Sequence, residues 1–495
     1  VVICPPTGGA GPHCSVYMGV AHRADLLKIR GRKAARLIGG KMVSIVRKAA
    51  LWAAVSASVL LAPHAVLAET IFGAMAKAYA NNPDLNAARA GLRATDEGVP
   101  IAKAGYRPQI SASATGTLSR VDAERTGTRD LHSGQIGISI TQTIFDGFQT
   151  LNNVRAAESN VFSSRETLKA NEIQILLSAA QSYANIARDQ QIVSIRRQNL
   201  AFLREQLNAA QARLDVGEGT RTDVSQAEAE LANAQSLLVA AVAQLKQSEA
   251  VYVQIVGAAP TAIRQPGPAS KGMPRSLDQA VATGLRENPQ ILAAQYAVDS
   301  AGFQVKSAEG TLLPGVVLQG AVTRNTGNVS TDNTTASITA RLEVPIYQGG
   351  AEYGQVRQAK EVLGQQRILV DSARASVQQT VVTAHAQLES ALARITASRS
   401  QIAAANLALE GVIEERKVGQ RTTLDVLDAQ QDVLDAQESL AGAQRDSVVA
   451  SYALLAAMGR LTVKTQGLQV AEYRSEEHYE AVKDKWIGLR TVDGR

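Results

Sequence analysis

The chain has 495 residues, a formal net charge of +6 and only 4% aromatic residues. Such a length ordinarily makes about two to four domains, but so few aromatics among abundant alanine, glutamine and leucine suit long, closely packed helices better than thick globular cores. The basic excess is concentrated in "HRADLLKIRGRKAARLIGGK", and no basic patch interleaved with aromatics follows it, so the charge gives no ground for a nucleic-acid partner.

A secretory signal is expected at 42–68. Arg47 and Lys48 form its positive region, Ala49 to Leu61 its apolar region, and Val66-Leu67-Ala68 a small-residue cleavage site. The mature chain is then expected to start near Glu69. Residues 1–41 read as an over-extended start, with a cytoplasmic tail on a membrane anchor as the alternative. Cys4 and Cys14 both fall in that stretch, which leaves the expected mature chain without thiols. After Ala68 there is no apolar run of about 18 residues, so entry into a membrane would require β-strands rather than a spanning helix.

From there the chain repeats itself. "YANNPDLNAARAGLRATDEGVPIAKAGYRPQI" from Tyr79 aligns with "LRENPQILAAQYAVDSAGFQVKSAEGTLLPGV" from Leu285, matching Pro83 to Pro289 and Pro108 to Pro314. Further on, Gly217 matches Gly419, Asp223 matches Asp425 and Val256-Gly257 matches Met458-Gly459. The first repeat spans 69–257, a proline-rich linker 258–275, and the second repeat 276–460, before a polar tail at 461–495. Each repeat reads as two short helices parted by Asn-Pro, then a β-hairpin (108–145 or 314–347), then a long helical hairpin with its tip at 215–223 or 417–425.

The strands show period-2 alternation. Ile136, Ile138, Ile140, Gln142 and Ile144 share one face of the first hairpin, and Ala336, Ile338, Ala340, Leu342 and Val344 one face of the second. Strands of roughly ten residues cross a bilayer when tilted, although a soluble β-sandwich fragment would alternate in the same way. Four strands cannot close a barrel, so a membrane reading requires oligomerisation.

The helical signal is stronger. Val224, Ala227, Leu231, Ala234, Leu238, Ala241 and Leu245 keep an unbroken 3-4 spacing, repeated at Val426, Ala429, Val433, Ala436, Leu440 and Ala443. Leu200, Leu203, Leu207, Ala210 and Leu214 continue the rhythm in the preceding helix, and no proline or glycine falls between Gly147 and Leu214. At about 1.5 Å per residue that helix is on the order of 100 Å long, much deeper than a bilayer. A plain coiled-coil rod explains the helices alone but not export combined with strand hairpins.

At the tips, Gly217, Gly219 and Gly419 suit positive φ in a tight reversal, and Thr220-x-x-Asp223 and Thr422-x-x-Asp425 read as capping pairs for the returning helices. Asp425, Asp428, Asp432 and Asp435 then follow at 3-4-3 spacing, one acidic face beside the apolar seam. Such a stripe is ordinarily a solvated outer face. In a closed ring of helices it would equally be a lumen.

The duplication with Asn-Pro openings, "GYRPQI", "IFDG" with its counterpart "IYQGG", the tips "VGEGTRTDV" and "VGQRTTLDVLDA", and the closing Met458-Gly459 together resemble the TolC family of outer-membrane channel-tunnel proteins over residues 69 to 460. The resemblance implies a mainly α fold with a β-barrel part: a homotrimer whose twelve-stranded barrel lies in outer-membrane lipid and whose helical tunnel crosses the periplasm. It implies docking onto a periplasmic adaptor and an inner-membrane RND or ABC transporter, for efflux of toxic small molecules or secretion of polypeptides. The polar tail is then expected on the periplasmic outside. A non-conducting periplasmic scaffold is the alternative.

By the same resemblance Asp425 and Asp428 match an acidic constriction, where crowded carboxylates would raise one another's pKa, favour cations and suffer divalent block. Asp432 and Asp435 are expected to extend that lining. Arg421 matches a constriction arginine, with Thr222 and Asp223 as its partners on another hairpin, and Arg416 replaces the tyrosine of the family's latch. Val216, Gly217, Gly219, Val418 and Gly419 match adaptor contacts. No cofactor or metal site is expected, because His132, His385 and His478 are far apart and no nucleophile elbow or P-loop occurs.

Overall fold

Asn82 and Asn288 organise the two repeats in the same way. In the computed structural model, which describes residues 69–125, 127–328 and 331–494, each asparagine ends one short helix and begins the next. Asn82 separates α1 (Ile71–Asn81) from α2 (Pro83–Asp96), its side chain accepting from Leu85 N while Nδ2 donates to Ile255 O at 2.9 Å. Asn288 separates α6 (Leu277–Glu287) from α7 (Pro289–Gly310), accepting from Gln290 N and donating to Ala457 O at 2.8 Å. Proline at the first helical position costs nothing there, since its missing N–H would have had no partner. The expected signal at 42–68 and the stretch before it lie outside the described residues.

After α2 the chain breaks at Glu97 into α3 (Gly98–Lys103), makes a 3₁₀ turn, and enters the sheet. Strands β1 (Gln109–Ala123), β2 (Gly127–Phe145), β3 (Gly315–Gly327) and β4 (Asn333–Glu343) form one antiparallel sheet in the order β1-β2-β3-β4. With 15, 19, 13 and 11 residues they exceed the expected ten, and Val344 falls just beyond β4. A bulge between Thr143 and Phe145 brings Phe145 opposite Val316.

The long hairpins are α4 (Gln149–Asp215) with α5 (Arg221–Val256), and α8 (Ala351–Lys417) with α9 (Thr423–Ala457). Both α4 and α8 have 67 residues, about 100 Å at 1.5 Å per residue. Helix α4 packs on α5, α7 and α9, and α8 on α7 and α9, so α5 and α8 form the two edges of the tip-ward half. The main core lies midway along the helices, where Leu176, Tyr183, Ile186, Tyr252, Tyr452 and Leu455 are buried. No helix among the described residues is long and apolar enough to cross a membrane.

Both long returning helices end against the Asn-Pro junctions. Gly257 has φ +76°, and a Cβ there would come within 2.9 Å of Asn81; Gly459 has the same φ, and a Cβ would lie 2.8 Å from Glu287 O. The glycines admit both the turn and the close approach. The linker is also held: Glu69 N donates to Ala262 O, Glu69 Oε2 accepts from Thr261, and the Tyr183 hydroxyl bridges Glu69 O and Arg264 O. After Met458, Leu461, Val463 and Leu468 enter the main core, and α10 (Val463–Gln466) and α11 (Ser475–Val482) run back along the bundle. His478 Nδ1 lies 2.9 Å from the fully buried Asp96, and Arg107 stacks on Trp486. The segment after residue 460 is therefore a docked strap, more apolar on its inner side than its composition implies.

Candidate functional site at the sheet and the hairpin tips

Residues paired across an antiparallel ladder share a side, so the register sorts the sheet into two faces. One face holds Ile110, Ile140, Gly320 and Ile338 in one row, and Ala112, Ile138, Val322 and Ala336 in the next. On this face Ile110, Ile138 and Ile338 are 69%, 56% and 83% exposed, an apolar surface that a protein in water would not present. The other face carries Ser111, Ser139, Ala321 and Ser337, then Gln109, Thr141, Gln319 and Thr339, with Ser111 and Ser139 hydrogen-bonded at 2.8 Å. Apolar on one side and hydroxyl-lined on the other is the pattern of a membrane barrel wall. Among the described residues, strands β1 and β4 are each paired on one side only.

At the far end of the helices, the two tips are built alike. Gly217 has φ +78° and Gly419 φ +80°, which is why both positions are glycine. Gly219 differs from the expectation: its φ is not positive, and a Cβ there would fit tightly, 3.1 Å from Leu214 N and 3.2 Å from Arg213 Cβ. Arg421 occupies the corresponding place in the second tip. Val216 and Val418 are each 72% exposed at the extremity.

Both capping boxes form in full. Thr220 Oγ1 accepts from Asp223 N at 3.1 Å while Asp223 Oδ2 accepts from Thr220 N, and Thr422 and Asp425 repeat this at 3.2 and 2.8 Å. These bonds hold both carboxyls below the usual range: the Thr220 hydroxyl is the main cause for Asp223, and the Thr422 amide for Asp425. Within one chain the direction is thus opposite to that expected from crowding. Asp428, Asp432 and Asp435 are exposed and Asp425 half-exposed. Asp435 accepts from Gln431 at 2.7 Å. The apolar seam is wider than the 3-4 spacing suggested, since Leu427 and Leu434 are buried alongside Val426 and Val433.

Arg421 does not reach Thr222 or Asp223 within the chain. It donates to Glu415 at 2.9 Å and approaches Asp425 at 4.0 Å, both on its own hairpin. Arg416 is the residue that crosses. Its Nη1 donates to Gln206 on α4 at 2.9 Å. Burial, together with the Arg213 charge, pushes its pKa down while Asp223 opposes the shift. Asp223 also accepts from Thr423 of the second hairpin. Farther from the tip the two hairpins share Gln430 with Asn199 at 3.0 Å, Arg196 with Glu438 at 2.8 Å and Arg445 with Asn185 at 2.8 Å. This polar ladder between α4 and α9 was not legible beforehand, because its partners lie more than two hundred residues apart and follow no motif.

The profile of the family "Outer membrane efflux protein" matches residues 74–258 and again 281–460, once in each repeat. The chain belongs to the outer membrane efflux protein family. It is 50% identical to "Outer membrane efflux protein BepC" of Brucella suis biovar 1 (strain 1330) over 439 residues, covering 88% of this chain and 95% of that protein. Similarity to "Alkaline protease secretion protein AprF" of Pseudomonas aeruginosa is 25% over 376 residues, covering 72% of this chain and 77% of that one. The fold matches a crystal structure of CusC with a TM-score of 0.72 at 18% identity, over 79% of this chain and 92% of that one. This outer membrane efflux protein is accordingly an exit duct of the outer membrane, in a family of channel proteins.

Proposed function

We propose that three copies close side by side, giving a barrel of twelve strands in the outer membrane and a tube of twelve helices in the periplasm. The observation that carries this is the sheet: among the described residues its two edge strands lack outer partners, and its faces are sorted into an apolar side and a hydroxyl-lined one. A head-to-tail joint that sets β4 of one copy against β1 of the next keeps the strands antiparallel, and repetition closes the ring. Helices α5 and α8, the edges of the tip-ward half, meet in the same joint. Residues 69–494 contain no cysteine, so pairs of introduced cysteines, one on β1 and one on β4 of the same chain, report on it directly. Disulfides between subunits, giving species of up to three chains, are expected; the absence of any cross-link at every register overturns the arrangement.

The tip is then the gate. Arg416 and the Asp223–Thr423 contact hold the two hairpins of one chain together, while Arg421, spending only exposed pairings on Glu415 and Asp425, is free to turn toward Thr222 and Asp223 of a neighbouring subunit. Asp425 and Asp428 from three chains line the mouth and draw cations, with Asp432 and Asp435 continuing the acidic surface inward. The exposed turns Val216-Gly217 and Val418-Gly419 dock a periplasmic adaptor, which links the duct to an inner-membrane RND or ABC transporter. Conduction is passive. The cargo is toxic small molecules or a secreted polypeptide; of the relatives, BepC is named for efflux and AprF for secretion of an alkaline protease.

A further inference from the structure

The two ends of the sheet are anchored differently. At the end nearest the helices, Tyr106, Phe148 and Tyr347 are exposed, and Phe145 meets Phe148 edge to face at 5.1 Å. These rings suit the interfacial aromatic belt of a membrane barrel. The other end, residues 116–134 and 322–336, contains no Phe, Tyr or Trp. Some other group must fix the height of the wall there.

Arg324 is placed to do so. The register sets it opposite Ile136 on β2 and Thr334 on β4, hence on the apolar face with Ile138, Val322 and Ile338. It is exposed, and among the described residues its guanidinium has no carboxylate, hydrogen-bond or aromatic partner. Arg120, farther out on the same face, is by contrast neutralised by Asp130 through bonds of 2.7 and 3.0 Å. Beside Arg324 the row toward the turns pairs Gly116 with Gly134 and Gly134 with Thr326, leaving a depression bordered by Thr326, Leu118, His132 and Asp332, whose carboxylate accepts from Gly327 N at 3.3 Å.

The height also fits. From Val316, level with Phe145, to Arg324 is about 27 Å along the strand at ~3.4 Å per residue. At a barrel tilt of about 40° this is roughly 20 Å of depth, close to the ~25 Å apolar band. An unpaired cation at the rim of that band is costly unless an anion meets it, and a guanidinium matches phosphate in a bidentate fork. β4 stands between Arg324 and the joint and places the next chain two strand spacings, about 10 Å, away, so no strand directly beside Arg324 belongs to the neighbouring subunit.

We propose that Arg324, with Thr326 and His132 beside the glycine depression, binds the phosphate of an outer-leaflet lipid and fixes the outer height of the barrel. The inference rests on the membrane-barrel reading and names the lipid chemistry that reading requires. The test compares full-length trimers of wild type, Arg324→Gln and Arg324→Lys in detergent. Each is titrated with a bis-phosphorylated, acylated glucosamine disaccharide, with the same lipid after phosphatase treatment, and with inorganic phosphate. Lipid retention is read by native mass spectrometry, and current by planar-bilayer recording.

Wild type is expected to retain the phosphorylated lipid, Arg324→Gln to bind it about fivefold more weakly per site, and Arg324→Lys to fall between, while all three conduct alike. Equal retention of the dephosphorylated lipid, equal binding by Arg324→Gln, or displacement of the lipid by inorganic phosphate at matched concentration would overturn the site. Loss of trimers in Arg324→Gln without any lipid present would instead show a structural ion pair and also overturn it. Absence of current in wild type would remove the barrel reading, and this site with it.

Discussion

Replacing Arg416 by alanine should unlatch the tip. The side chain joins α8 to Gln206 on α4 through a 2.9 Å hydrogen bond and stands within reach of the Asp223 charge. A hydrogen bond from a charged donor contributes about 1.5–3 kcal/mol. The low end applies, because the guanidinium is only half-buried, Arg213 repels it, and its Nε is buried without a partner. At about 1.5 kcal/mol per chain, three chains contribute about 4.5 kcal/mol, roughly three decades in the ratio of closed to open forms. Single-channel recording in planar bilayers reads this directly. Wild type is expected to show rare, brief openings at low conductance, Arg416→Ala sustained openings at higher conductance, and Arg416→Lys an intermediate. Gln206→Ala should act in the same direction, and the double variant should go no further than Arg416→Ala alone. Unchanged opening in Arg416→Ala, or fully additive effects of the two substitutions, would refute the latch.

Asp428→Asn should weaken cation selectivity and divalent block without changing stability, since Asp428 caps nothing; Asp425→Asn should do the same while also weakening the start of α9, because the amide that replaces the carboxylate brings no negative charge to the helix N-terminus. Neutralising Asp432 and Asp435 together should lower conductance for cations, and unchanged current–voltage curves would remove them from the lining. Glu287 is held at about 2 by Arg460 first and Arg286 second. Its folded pKa lies below the unfolded value near 4.5, so its contribution is present above that value and is lost as pH falls toward about 2. Discounted for exposure, this is about 1 kcal/mol, and Glu287→Gln should flatten the acid arm of a stability-versus-pH curve. His478→Ala strands Asp96 in the core with burial already raising its pKa. It should cost about 2–3 kcal/mol and speed proteolysis after residue 460.

What was legible in the sequence was whatever repeats or alternates locally. The 3-4 spacing from Val224 and Val426, the glycine turns at 217 and 419, and the alternation through Ile136–Ile140 all arise from contacts along one element or across one turn. The capping boxes at Thr220 and Thr422 were readable for the same reason. What escaped depends on distant partners: the pairing of β2 with β3 that merges the two hairpins, the polar ladder from α4 to α9, and the glycine caps at 257 and 459 seated on the Asn-Pro junctions. Gly219 reads like Gly217 because the sequence does not distinguish a glycine in tight surroundings from one at positive φ. The strap after residue 460 reads as a polar tail because its few apolar anchors, Leu461, Val463, Leu468 and Val482, are diluted by charged neighbours. The tip was readable as chemistry but not as geometry, since nothing in "EERKVGQRTTLD" says that Arg416 rather than Arg421 crosses to the other hairpin of its own chain.

The central claim is that strands from separate copies complete one wall around a conducting lumen. Reconstitution of the purified mature chain into a planar lipid bilayer, with its oligomeric state measured in the same detergent, tests it most directly. The account predicts heat-resistant trimers and discrete, cation-preferring current steps that grow when Arg416 is removed. A monomer soluble without detergent, carrying no current at any voltage, would contradict it.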